Sequence, residues 1–149
     1  MSASIASIFY LSLVTVLAAK VSTSCDVVDD KCLKCLCMIR TGCDIERECT
    51  DDGQCGLFGI TKLYWLDGGK KVIIGDNPNA VGAFERCVLE PFCATETVRG
   101  FYNRYQKAVN PLSNNTCVDL VVKHIHGIQA KEVPKVLENE VLDCYKHLH

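Results

Sequence analysis

The chain has 149 residues, of which 48% are hydrophobic and 23% charged, with 11 cysteines and a formal net charge of −2. That composition describes one folded domain and excludes disorder, collagen-like repeats and low-complexity linkers. Its longest basic run is Lys70-Lys71, so the positive footprint used to hold nucleic acid or an anionic membrane is missing, and neither is an expected partner.

Residues 5–19 (IASIFYLSLVTVLAA) are apolar and are followed by Lys20 and the small polar run that ends at Ser24. The pattern predicts a signal peptide over residues 1–24. It is shorter than the roughly 20 apolar residues of a membrane span, and no basic side chain precedes it. The expected product is secreted and extracellular. Removing residues 1–24 takes away one lysine and no acid, which leaves a net charge near −3 and no electrostatic steering toward an anionic surface.

An exported domain this rich in cysteine is expected to oxidise its thiols. Cys32, Cys35, Cys37 and Cys43, with His124 and His126, are zinc-ligand types. Two histidines separated by one residue, however, project from different sides of a helix. No metal and no cofactor are expected. The odd cysteine count leaves at least one thiol free or paired with another molecule, so a disulfide-linked dimer is an option. Cys25 and Cys144, near the two ends, are the pair expected to join each other or to be left over.

In chain order, residues 31–39 (KCLKCLCMI) predict a short buried helix stopped by Gly42. Residues 43–55 (CDIERECTDDGQC) are polar and acidic, with Asp52-Gly53 as a turn signal, and predict a small β-hairpin pinned by Cys49 and Cys55. Leu57, Ile60, Leu63, Tyr64 and Leu66 recur at helical spacing before Gly68-Gly69. Residues 70–81 read as loop around Asp76-Asn77-Pro78. Phe84, Cys87 and Val88, then Cys93, Val98, Phe101, Tyr102 and Tyr105, predict two short helices separated by a turn at Pro91. Asn114-Asn115-Thr116 is a glycosylation signal in a surface loop. Thr116 is the expected cap of a helix over residues 117–126, ended by Gly127. Leu137, Val141, Tyr145 and Leu148 form a stripe on a last helix. The expected organisation is a domain over 25–127 and a helical tail over 128–149 packed on it.

Residues 32–37 (CLKCLC), 41–43 (TGC), 55–70 (CGLFGITKLYWLDGGK), 84–105 (FERCVLEPFCATETVRGFYNRY) and 117–120 (CVDL), with His124, resemble the invertebrate-type lysozyme family, also called the destabilase family. The resemblance implies an α+β, disulfide-rich, mainly helical domain whose short β-hairpin flanks a saccharide cleft. It places Cys32, Cys35, Cys37, Cys43, Cys49, Cys55, Cys87, Cys93 and Cys117 in disulfides. It also implies cleavage of the β-1,4 bond of bacterial peptidoglycan by two carboxyl groups, one protonated and one ionised.

The family's proton donor, a glutamate three residues before the cysteine that closes the first helix, falls on Arg40. Arginine stays charged and has no proton to give at any working pH. The second carboxylate maps to Asp52 counting from Cys49, or to Asp51 counting from Gly53. Asp44, Glu46 and Glu48 follow the helix end, and Glu46 or Glu48 is the substitute acid if catalysis survives. For the isopeptidase chemistry of some members, the serine position holds Gln54, while Lys62 and His124 stand at matching places. An amide side chain is no nucleophile. Tyr64, Trp65 and Asp67, with Lys62 and His124, are the candidate saccharide contacts, although a single tryptophan is equally expected in the core. The resemblance thus implies a peptidoglycan or amino-sugar binder with weak or no muramidase activity. An active lysozyme and a non-catalytic protein-interaction partner are the alternatives.

Overall fold

The computed structural model describes residues 28–106 and 109–148. The expected signal peptide over 1–24 and Cys25 lie outside the described residues. Six helices follow in order: α1 (Asp30–Thr41), α2 (Lys62–Asp67), α3 (Ala83–Val88), α4 (Pro91–Tyr105), α5 (Thr116–His126) and α6 (Lys135–His147). Among the described residues β structure is limited to one isolated antiparallel bridge, Cys55 with Ile60.

Each end of α1 follows from its sequence. The Asp29 carboxylate accepts from the Cys32 N–H at 2.8 Å, an N-cap that satisfies one of the helix's unpaired donors. At the other end Gly42 adopts φ 73°, its N–H donates to Met38 O, and that of Cys43 donates to Cys37 O. This paired closure needs a residue tolerant of the left-handed region. Glu90 caps α4 by accepting from Phe92 N and Cys93 N. Pro91 is therefore the first residue of α4 rather than a break within a helix, since its missing N–H costs nothing there. The cap of α5 is Asn115, not Thr116: its side chain accepts from Cys117 N at 3.0 Å and Val118 N at 3.1 Å.

Two expected elements are corrected. Residues 43–55 form no hairpin strands. Thr50 N–H donates to Gln54 O and Gly53 N–H to Thr50 O, which closes a tight turn, and the following segment pairs only through Cys55 and Ile60. The helix expected from Leu57 begins only at Lys62. Gly56 and Gly59 hold φ of 65° and 59°, outside helical geometry, and the Thr61 hydroxyl starts α2 by accepting from Tyr64 N.

The core forms around α5, whose residues from Cys117 to Lys123 are all buried. Leu36 of α1, Phe58, Ile60, Val88 of α3, Val98 of α4 and Val141 of α6 complete it. Five disulfides fasten this arrangement: Cys32–Cys117, Cys35–Cys144, Cys37–Cys43, Cys49–Cys55 and Cys87–Cys93. Cys144 therefore pairs with Cys35, not with Cys25. The first two bridges span 85 and 109 residues, and in the chain-entropy account each such closure is worth about 4–5 kcal/mol. Cys32, Cys35, Cys37 and Cys43, the thiols considered for zinc, are all in disulfides. No group of three or more potential metal ligands occurs among the described residues.

Among the described residues one charged pair is enclosed. Asp119 and Lys123, each 1% exposed, meet at 2.8 Å. The Asp119 carboxylate also accepts from the Tyr102 hydroxyl and from Leu112 N, so it joins α4, α5 and the loop before α5. Among the described residues no helix is long and apolar enough to cross a membrane.

Candidate functional site

The last turn of α1 carries Arg40 toward the turn at residues 50–54, and the Thr41 hydroxyl donates to Leu57 O, which holds the helix end against the 55–60 segment. Arg40 Nη2 donates to Gln54 Oε1. Gln54 Nε2 then donates to Asp52 Oδ2 at 2.6 Å, and the Thr50 hydroxyl donates to Asp52 Oδ1. The result is a continuous chain of Arg40, Gln54 and Asp52. The Thr50 hydrogen bond, aided by the Asp52 backbone N–H, Gln54 and the Arg40 charge, holds the Asp52 carboxyl below its usual range. Asp51 is exposed and takes no part in this chain.

Gly59 is the floor of the contact. A Cβ there would lie 3.3 Å from Arg40 Nε and 3.4 Å from Gln54 Oε1, so a side chain would crowd the guanidinium, and the positive φ adds strain for any residue but glycine. Arg40 Nε has no hydrogen-bond partner among the described residues.

His124, from the last turn of α5, occupies the neighbouring space. Its Nε2 lies 2.8 Å from Phe58 O and its Nδ1 2.9 Å from the Tyr64 hydroxyl. A carbonyl only accepts, so Nε2 carries the proton and donates, and Nδ1 accepts from Tyr64. Burial, reinforced by the Arg40 charge and opposed by the Phe58 carbonyl, pushes the imidazole pKa down to about 4. The ring is neutral at physiological pH and ties α5 to α2 and to the segment beneath Arg40. With both nitrogens engaged, it is not poised to activate Gln54, and Lys62 is exposed at the start of α2.

The candidate saccharide contacts divide between two grooves. Tyr64, Asp67 and His124 line one of about 400 Å³ with Thr61 and Phe101. Lys62 and Trp65 border another of about 440 Å³, with Leu66, Pro78 and Phe84. Trp65 is only 3% exposed. Its indole N–H donates to Lys71 O at 2.6 Å and its ring packs on Phe84, so the structure takes the core alternative and its faces are not open for sugar stacking. One face of Tyr64 is covered by Phe101, with centroids 3.8 Å apart. Asp67 pairs with Arg104 at 3.3 Å. Asp44, Glu46 and Glu48 are exposed in the segment after Gly42.

In the sequence Gln54 stands out only as a departure from the serine that the resemblance implies. Its part as the link between Arg40 and Asp52 was not anticipated, nor were those of Thr50, Gly59 and Phe58 O. The one signal available was position: Gln54 directly precedes Cys55, whose disulfide to Cys49 fixes the base of the turn.

Comparison with known proteins bears on the family and the fold. The Destabilase family model matches residues 29–146, which includes α6 except for its last residue. Invertebrate-type lysozyme 3 of Caenorhabditis elegans is 32% identical over 101 residues, 66% of this chain and 71% of that protein. A lysozyme of Ostrea edulis is 34% identical over 102 residues, 64% and 67% of the two chains. A lysozyme of Meretrix lusoria is 30% identical over 83 residues, and that match takes in 61% of its length, under two thirds. The crystal structure of Aeromonas hydrophila PliI in complex with Meretrix lusoria lysozyme superposes with a TM-score of 0.55 at 25% identity, covering 69% of this chain and 77% of the matched chain. A mostly helical, disulfide-rich fold of the lysozyme type, with a family model that spans nearly all the described residues, shows that the chain belongs to the destabilase family.

Proposed function

We propose that this protein is an exported lysozyme-like member of its family that binds peptidoglycan, or a related amino-sugar polymer, with little or no hydrolysis. The observation that carries the reading is the chain of Arg40, Gln54 and Asp52. Glycoside hydrolysis of this type needs one protonated and one ionised carboxyl group across the scissile bond. Here the ionised group is supplied by Asp52, but a permanent cation stands at the position the resemblance gives to the donor, and it is tied through Gln54 to Asp52. Losing a general acid costs about 10²- to 10⁴-fold in rate, and a fixed positive charge repels an oxocarbenium-like state as well. The same guanidinium suits the carboxylates of a lactyl group or peptide stem, which it can grip in a fork. Binding therefore outlasts turnover in this reading.

The test is loss of turbidity of a Gram-positive cell-wall suspension, alongside sedimentation with purified peptidoglycan. Wild type is expected to co-sediment without lysis, and Arg40→Glu to gain at least tenfold in lysis. Asp52→Ala in the Arg40→Glu background should remove that gain. If wild type lyses walls and Glu46→Gln or Glu48→Gln abolishes it, a substitute acid operates and the reading falls.

A further inference from the structure

We propose that Asn114 carries an N-linked glycan, seated at the mouth of a pocket where α1, α5 and α6 meet. The proposal rests on the exported reading, because the acceptor must meet a lipid-diphosphate-linked oligosaccharide in a secretory compartment. In that transfer Asn114 Nδ2 forms a bond to the anomeric carbon of the donor sugar. The bond from that carbon to the diphosphate oxygen breaks, the amide gives up one proton, and the lipid diphosphate leaves.

Three observations place the modification. The loop before α5 is anchored from inside, since Leu112 N–H donates to Asp119 Oδ1 at 2.7 Å and Asn115 N–H donates to Ser113 Oγ at 3.1 Å. Within the acceptor triplet the roles are divided. Asn115 is occupied in capping α5, whereas Asn114 and Thr116, the two residues the transfer requires, are exposed and make no side-chain hydrogen bond among the described residues. A sugar on Asn114 thus breaks no cap and enters no core. Finally, Asn114 borders a pocket of about 330 Å³ whose other walls include Asp29, Tyr145 and the Cys32–Cys117 disulfide. The Tyr145 hydroxyl donates to Asp29, which fixes an aromatic wall of the kind sugars pack against. This pocket is at the start of α1 and Arg40 is near its end, about 16 Å away at 1.5 Å per residue. The glycan would leave the candidate cleft open.

The experiment produces the full chain in secreting eukaryotic cells, in one arm with its own leader and in another behind a heterologous secretory leader. Intact mass and peptide mapping before and after peptide N-glycosidase treatment are the readout. Wild type and Thr116→Ser are expected to carry a removable glycan, with Asn114 converted to aspartate on release. Asn114→Gln and Thr116→Ala should emerge without it, and both leave the Asn115 cap in place. Unmodified Asn114 in protein recovered from the medium of the heterologous-leader arm would overturn the site. A glycan in that arm, together with failure of the native leader to deliver protein to the medium, would overturn the export reading while the Asn114 assignment stands.

Discussion

His124 is held by two hydrogen bonds in a space that disfavours its charge, so proton uptake and folding are coupled there. Its folded pKa of about 4 lies below the ordinary value, so the unfolded chain binds the proton more readily. The contribution is therefore complete above about pH 6.5, falls as pH drops toward 4, and is constant below that. The fully expressed effect is at most about 3 kcal/mol. Urea midpoints at pH 7 and pH 4.5 should fall further for wild type than for His124→Gln, and equal falls would sink the assignment. The resemblance is what points to Arg40, and Gly42 and Cys43 mark the helix end that carries it. The partners of Arg40 and His124 were not legible in the sequence, since they join residues 14 and 66 positions apart, and periodicity carries no information about such distances.

At the scale of elements, the sequence errors share a cause: tertiary contact overrides local pattern. The apolar spacing from Leu57 suited a helix, but Gly56 must let the backbone of α3 approach, where a Cβ would lie 2.0 Å from Val88 O. The polar 43–55 segment had hairpin chemistry but lacked a second strand to pair with, so only its turn survived. Asn115 and Thr116 are both competent caps, and which one served depended on where the loop was anchored. That anchor is itself testable. Asp119→Ala strands a buried ammonium and releases both Tyr102 and Leu112, so it should lower the unfolding free energy by about 3–5 kcal/mol. Lys123→Met leaves Asp119 accepting from those two donors and should cost less than half as much in urea titrations. Equal losses would show that the carboxylate is not the hub.

For the whole molecule, α6 belongs to the same packed body as α1 and α5. The Cys35–Cys144 bridge fastens it, and Leu137 and Val141 enter the common core. The sequence showed the apolar stripe but not the connectivity, because pairing among many cysteines depends on the fold that brings them together. Replacing both Cys35 and Cys144 with alanine should lower stability by about 4 kcal/mol and speed amide exchange across α6 more than across α4. Uniform acceleration over both helices would instead mean that the bridge supports the entire core.

The two long crosslinks both leave from the first half of α1, at Cys32 and Cys35, whereas Arg40 occupies its last turn. A cation there suits the negative end of the helix, and a carboxylate would oppose it by about 0.3–1 kcal/mol. An acid at this position would stand against the helix end and a base stands with it, so folding by itself favours the residue present. The crosslinks that hold the scaffold and the residue that ends the helix are thus separable, and a substitution at position 40 leaves the former untouched.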